Sequence, residues 1–298
     1  MTTTHPRRAP AGRAARREAI WAAAFLLPSL GGFALFYLIP FVQAFGLSLK
    51  SSPIGGHFVG LANYIALARN AAFLKAALNT AIFTAVGVPT LLAASLLLAL
   101  ALHGRLPGRG ALSALFLSPM VIPVASVVLV WQVLFDGSGA LNGLLATWGI
   151  APVDWLKSGW ARWVMMLLYL WKNAGYGMVL YMSALTAVPQ EFLEQAELEG
   201  AGRFAKFRIA VWPRLLPTTL FVAVMAMVNS FKVFREVYLL AGSHPHDSIY
   251  TLQHFMNNMF ASLDIQKLTS AAFWMALAVS ALVGAMVWAV RLANRRQL

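Results

Sequence analysis

Six apolar runs, each near the length that crosses a bilayer, constrain this chain more than any other feature. They fall at about 19–40, 79–102, 111–135, 161–187, 215–240 and 268–290, and about 20 helical residues span the hydrocarbon layer. Of all residues 60% are hydrophobic and 11% charged, against roughly 25% charged in a soluble domain. Folded in water, a chain of this length could not bury so much apolar surface. Inside lipid every backbone amide must be bonded internally, which for runs this long selects helices. The expected fold is all-α and polytopic, with about six transmembrane helices. The first run carries Pro28, Gly31 and Gly32, which predict a kink or a close helix crossing. It is too long for a signal-peptide core and lacks a small-residue cleavage site. It is expected to stay as the first span, with helix continuing to Leu49.

Basic residues orient the spans. Arg7, Arg8, Arg13, Arg16 and Arg17 near the N-terminus, Arg105 and Arg109, the loop 188–214, and Arg291, Arg295 and Arg296 put fourteen Lys or Arg on one side. The other side has six: Lys50, Arg69, Lys75, Lys157, Arg162 and Lys267. The positive-inside rule places both termini in the cytoplasm, with 1–18 a basic tail and 19–298 the transmembrane domain. The net charge of +13 reads as a topology signal and attraction to anionic membrane lipid, not as a nucleic-acid footprint. Cysteine is absent, which excludes disulfides, thiolate metal sites and a cysteine nucleophile.

One connection differs from the rest. Residues 189–217 read PQEFLEQAELEGAGRFAKFRIAVWPRLLP, with Glu191, Glu194, Glu197 and Glu199 first and Arg203, Lys206, Arg208 and Arg214 after. Acidic residues behind a proline suit a helix start, because carboxylates face the positive end of the helix dipole. Gly200 or Gly202 can take the left-handed conformation that stops one helix and lets another leave at an angle. The segment is expected to form a helix–turn–helix on the cytoplasmic side, acidic on one arm and basic on the other.

This connection resembles the EAA loop of ABC-importer permease subunits. The likeness lies in Glu194-Gln195-Ala196, Glu199-Gly200-Ala201, Phe207-x-Ile209 and Pro213-x-x-x-Pro217. Gln195 and Glu199 stand where the family commonly has Ala and Asp. FVGLANYIAL (Phe58 to Leu67), Ser118-Pro119-x-x-x-Pro123 and SFKVF (Ser230 to Phe234) are similar to segments of sugar permeases of the maltose and glycerol-phosphate type. The last outer loop departs, with Gly242-Ser-His-Pro245 in place of a Gly-Gly-Gly-Pro run.

The resemblance implies an inner-membrane permease subunit of an ATP-driven importer. A second permease would pair with it as a heterodimer, with an ABC ATPase dimer below and an extracytoplasmic solute-binding protein above. It implies an ATPase-coupling role for Glu194, Ala196, Glu199, Gly200, Ala201, Phe207 and Pro213. No GxxxxGK[ST] phosphate loop occurs, so ATP and Mg are expected to be used by the separate ATPase, with no cofactor on this chain. A carbohydrate is the implied cargo; glycerol phosphate, a polyamine or an amino acid are the alternatives.

Polar residues inside the spans need partners or water. Lys172, about eleven residues into the fourth run, is expected to face a wet cavity or a neighbouring subunit, beside Trp171, Asn173 and Tyr176. In the fifth run, Asn229 lies near Lys232 and Glu236, which are four apart; these two are expected to pair, or Lys232 to snorkel to the interface. Pro119 and Pro123 free backbone carbonyls, which lipid does not tolerate, and so mark a pathway-facing helix. Trp131, Trp171 and Tyr176 can stack on a sugar ring or join an interfacial aromatic belt. These positions are the substrate-pathway candidates. His244, His246, Asp247 and His254 lack zinc-motif spacing, so no metal site is expected. A secondary transporter would be expected to show internal repeats, and an intramembrane enzyme a metal or Ser/His constellation within spans; the sequence has neither.

Overall fold

The computed structural model describes residues 11–104 and 106–295. Arg7, Arg8, Arg105 and Arg296 of the topology argument lie outside the described residues. Among the described residues the chain is helical, with one isolated bridge between Lys50 and Phe58.

Helix α1 (Ala11–Phe33) passes through a π turn (Ala34–Leu38) into α2 (Ile39–Ser48). A short α3 (Ala62–Ala68) precedes α4 (Ala71–His103). The expected start at Asn79 is corrected to Ala71. Asn70 caps the helix by accepting from the Phe73 amide at 2.9 Å, and Phe73 and Ala76 are buried against Leu252 and Phe255. The expected third span is not one bent helix. It consists of α5 (Arg109–Val121) and α6 (Val124–Phe135), separated by extended Ile122 and by Pro123 as the cap of α6. The outer connections carry α3, α7 (Ala140–Thr147) and α13 (Leu252–Ala261). The remaining helices are α8 (Ala161–Thr186), α9 (Gln190–Leu198), α10 (Arg203–Lys206), α11 (Trp212–Lys232), α12 (Phe234–Ala241) and α14 (Ile265–Arg295).

Among the described residues, five stretches are long and apolar enough to cross a membrane: Ala15–Ser48, Ala71–His103, Val124–Thr147, Arg203–Ala241 and Ile265–Leu292. Helix α8 falls outside that set although its 26 residues reach about 39 Å at ~1.5 Å each. The reason is its position. It packs on α4, α5 and α11 at once, so much of its surface meets helices and it tolerates Lys172 and Asn173. Tyr169 and Met178 of α8 are fully buried, with Phe83, Leu91 and Ala226 around the first and Leu215 and Val222 around the second. By contrast, the most apolar windows of α1–α2 and α14 have no buried residue. Those helices meet at the edge of the bundle, where Phe41 and Phe45 pack on Phe273 at ring-centre distances of 4.8 and 5.1 Å.

Small residues let α8 approach its neighbours, as helix packing in lipid requires. A Cβ placed on Gly175 would lie 1.9 Å from the Phe116 carbonyl oxygen in α5. Beside it, Ser95 donates to the Ala174 carbonyl at 3.1 Å. The obstruction at Gly175 is backbone, so rotamer changes cannot relieve it. Gly175→Ala is expected to destabilise the bundle by about 1–3 kcal/mol, the usual cost of overpacking. Thermal unfolding in detergent would show it as a lowered Tm, with Ala174→Ser as the control.

Candidate functional site

The elbow is built from its backbone outward. Pro189 caps α9, and Glu191 stands in the first turn. At the far end the Gly200 amide bonds the Glu197 carbonyl and the Ala201 amide bonds the Ala196 carbonyl, both at 2.9 Å. Gly200 has φ +76°. This pair of bonds around a left-handed residue is the Schellman closure. Of the two glycines considered, Gly200 takes the left-handed state; Gly202 has φ −64° and caps α10.

From Arg203 the chain runs through α10 and a π turn (Phe207–Val211) into α11. Pro213 is the second residue of α11, and its ring nitrogen cannot bond back to Ile209. Ala196 is buried and Ala201 half-buried, while Glu194 and Glu199 are exposed. Phe207 packs under the elbow against the cluster of Tyr181, Leu185 and Leu215. Two large apolar side chains stand in the open at the vertex, Leu198 at 90% and Phe204 at 77% exposure.

Two side-chain bridges missed from sequence span the angle. Lys206 Nζ meets Glu197 Oε1 at 3.0 Å, and the Arg214 guanidinium carbon lies 3.5 Å from the Phe192 ring centre. Glu197 is mostly exposed, so its pair is worth about 0–1 kcal/mol. The cation–π contact, on half-buried Arg214, contributes roughly 0.5–2 kcal/mol and is the stronger of the two.

A polar seam runs between α8 and the fifth span. Asn229 donates to Asn173 Oδ1 at 2.9 Å, and Asn173 donates to the Tyr169 carbonyl at 2.8 Å. Tyr169 in turn donates to the Ala226 carbonyl at 2.7 Å. Lys172 forms an ion pair with Glu236. The expected Lys232–Glu236 pair is therefore corrected: helical bonding runs through the turn at Val233, from its amide to the Asn229 carbonyl and from the Val237 amide to its carbonyl, but Glu236 takes Lys172 of α8 as its partner instead. Lys172 is 20% and Glu236 7% exposed, so this half-buried cation has more need of a counter-charge than exposed Lys232. The second carboxylate oxygen of Glu236 is buried with no partner.

Other pathway candidates separate. Trp131 is buried, stacked on Phe135 at 5.1 Å and close to Trp171 at 6.1 Å. Its ring faces the core and leaves little surface open to a solute. Trp171 remains exposed and Tyr176 half-buried. In α5 the Leu115 carbonyl, which Pro119 cannot serve, accepts instead from the Ser118 hydroxyl at 2.8 Å. Pro119 is buried and Pro123 exposed.

At the end of the bundle away from the elbow, Asn79 donates to the Asp247 and Tyr250 carbonyls at 2.6 and 3.0 Å and accepts from Arg162 at 3.1 Å. Lys75 pairs with Asp247 at 2.8 Å, and its hydrogen bond holds that carboxyl below the usual aspartate range. Thr251 and His254 form the capping box of α13, and burial pushes the His254 imidazole down to about 4. Among the described residues no three His, Cys, Asp or Glu converge as a metal site would need.

A bundle with a charged elbow at one end and a polar seam between its central helices is the architecture of a membrane transport subunit. The chain belongs to the family described as binding-protein-dependent transport system inner membrane component, whose model matches residues 59–298. It is similar to the trehalose/maltose transport system permease protein MalF of Thermococcus litoralis, at 30% identity over 77% of this chain and 79% of that one. The sn-glycerol-3-phosphate transport system permease protein UgpA of Yersinia pestis is 30% identical over 91% and 93%. The fold matches a bacterial ABC transporter involved in the import of the acidic polysaccharide alginate, with TM-score 0.79, 19% identity and coverage of 94% and 97%.

Removing one member of a buried ion pair costs about 3–5 kcal/mol, whereas replacing both with apolar residues can be neutral. Glu236→Gln is accordingly expected to lower the Tm of the purified chain sharply. Lys172→Met combined with Glu236→Leu is expected to restore most of the loss, as differential scanning fluorimetry in detergent would show.

Proposed function

We propose that this chain forms the translocation pathway of an ATP-driven importer for a carbohydrate, with both termini and the elbow in the cytoplasm. The observation that carries the reading is the elbow itself. A short acidic arm ended by Gly200, with Leu198 and Phe204 uncovered at its vertex, suits the groove of a separate ATPase. Glu194 and Glu199 would lie near basic or amide groups there. ATP and Mg would be handled by that partner, and no cofactor is assigned to this chain.

The uncovered apolar faces of α1, α2 and α14 suit lipid and a second permease subunit. A solute-binding protein, on which the family's systems depend, would deliver cargo at the end where Asn79, Arg162 and Asp247 meet. Tyr176, Asn173 and Asn229 offer the ring and amides that a sugar's faces and hydroxyls call for. The relative named for trehalose and maltose supports that cargo.

One observation favours a second reading. Lys232 is exposed, one helical turn from Asn229 and freed from Glu236, and a free cation there would suit an anionic solute such as glycerol phosphate. Lys232→Gln separates the two. Sugar uptake is expected to persist, whereas an anionic cargo would lose roughly tenfold or more with its charged hydrogen bond.

The elbow is tested at Gly200. A Cβ there meets nothing within 4 Å, so any effect is conformational. A β-branched residue is a genuine outlier at positive φ, while Asn is tolerated. Gly200→Val is expected to abolish uptake and loosen ATPase co-purification, with Gly200→Asn largely active. Normal uptake and normal co-purification in Gly200→Val would contradict the coupling role.

A further inference from the structure

An arm joined to a span through a glycine turn alone would pivot at that turn, and a push on its tip would bend the joint instead of moving the span. The elbow is braced against this. Near the vertex, Glu197 and Lys206 bridge the two arms at 3.0 Å. Farther out, the Arg214 guanidinium lies 3.5 Å over the Phe192 ring. Phe192 stands early in α9 and Arg214 early in α11, so the second bridge closes the angle well away from Gly200, where it best resists rotation.

Arg214 is itself held. Its Nη1 donates to the Ala210 carbonyl at 2.5 Å, within the π turn that precedes Pro213. The two bridges differ in kind. Glu197 is mostly exposed, so water and salt screen its pair with Lys206. A planar guanidinium stacked on a ring also resists sliding in a way a point charge does not.

We infer that Phe192 and Arg214 are positioning residues that make α9 and the base of α11 one rigid body, so that displacement of the arm is delivered to the fifth span. This rests on reading the elbow as the ATPase-facing arm. Neither residue touches solute or nucleotide in this role. Their contribution is to transmission, and assembly with the ATPase does not depend on it.

The chain has no cysteine, so introduced thiols report cleanly. In the purified importer complex, spin labels at Gln195→Cys and Thr218→Cys are expected to give one narrow distance distribution. Phe192→Ala, Arg214→Gln and Arg214→Lys are each expected to broaden it, and Phe192→Trp to keep it narrow. A separate thiol at Met225→Cys, half-buried and four residues before the pathway candidate Asn229 on the same helix face, reports that face through maleimide labelling with and without MgATP and vanadate. The braced complex is expected to change its labelling rate on trapping; Arg214→Gln is expected to keep basal ATP hydrolysis and lose about fivefold of that change.

Unchanged distance widths in Phe192→Ala and Arg214→Gln would overturn the inference, as would an undiminished labelling change. Failure of the unmodified chain to co-purify with an ATPase would instead remove the functional reading. The distance widths, measured on the chain alone in detergent, would then still decide whether the brace exists.

Discussion

Two carbonyls at the end of α9, those of Ala196 and Glu197, are closed by the amides of Ala201 and Gly200, and this closure requires a left-handed residue at position 200. The direction in which the chain leaves the arm follows from it. With the turn set, the basic residues of the second arm come back past the first, and Lys206 and Arg214 reach Glu197 and Phe192. The charge asymmetry of the segment thus has a local use inside the elbow and leaves Glu194 and Glu199 exposed on its surface.

Above the elbow the governing constraint is that lipid bonds no polar group. Several polar groups in the bundle have a local answer. Ser118 serves the carbonyl that Pro119 leaves open. Asn173 and Asn229 satisfy each other across the α8–α11 seam. Lys172 and Glu236 neutralise one another between α8 and α12, which ties the terminal segment of the fifth span to the most buried helix of the bundle. The segment beyond the turn at Val233 is held by that pair and by the edge of His254 against Phe234, 4.7 Å between ring centres.

The helical, membrane-spanning character and the elbow were legible in the sequence because each is written in contiguous residues: long apolar runs, and a proline, four glutamates and a glycine in order. The Asn70 start of α4 was obscured because AAFLKAAL has too little apolar length to count as membrane, although its Phe73 and Ala76 have partners in α13. The partner of Glu236 was misjudged because helical spacing measures only neighbours on one helix, and the winning cation sat on another. Trp131 illustrates the same limit, since composition cannot distinguish a ring at an interface from one packed on Phe135. Phe192 and Arg214 carried no local signal at all. Their contact exists only once Gly200 has folded the two arms together.

The account depends on the vertex of the elbow lying in the cytoplasm beneath an ATPase. A single thiol introduced by Leu198→Cys, in a chain otherwise free of cysteine, measures this with a membrane-impermeant maleimide. Inside-out vesicles stripped of ATPase are expected to label rapidly, those retaining the ATPase slowly, and right-side-out vesicles not at all. Labelling in right-side-out vesicles, or labelling that ignores the ATPase, would contradict it.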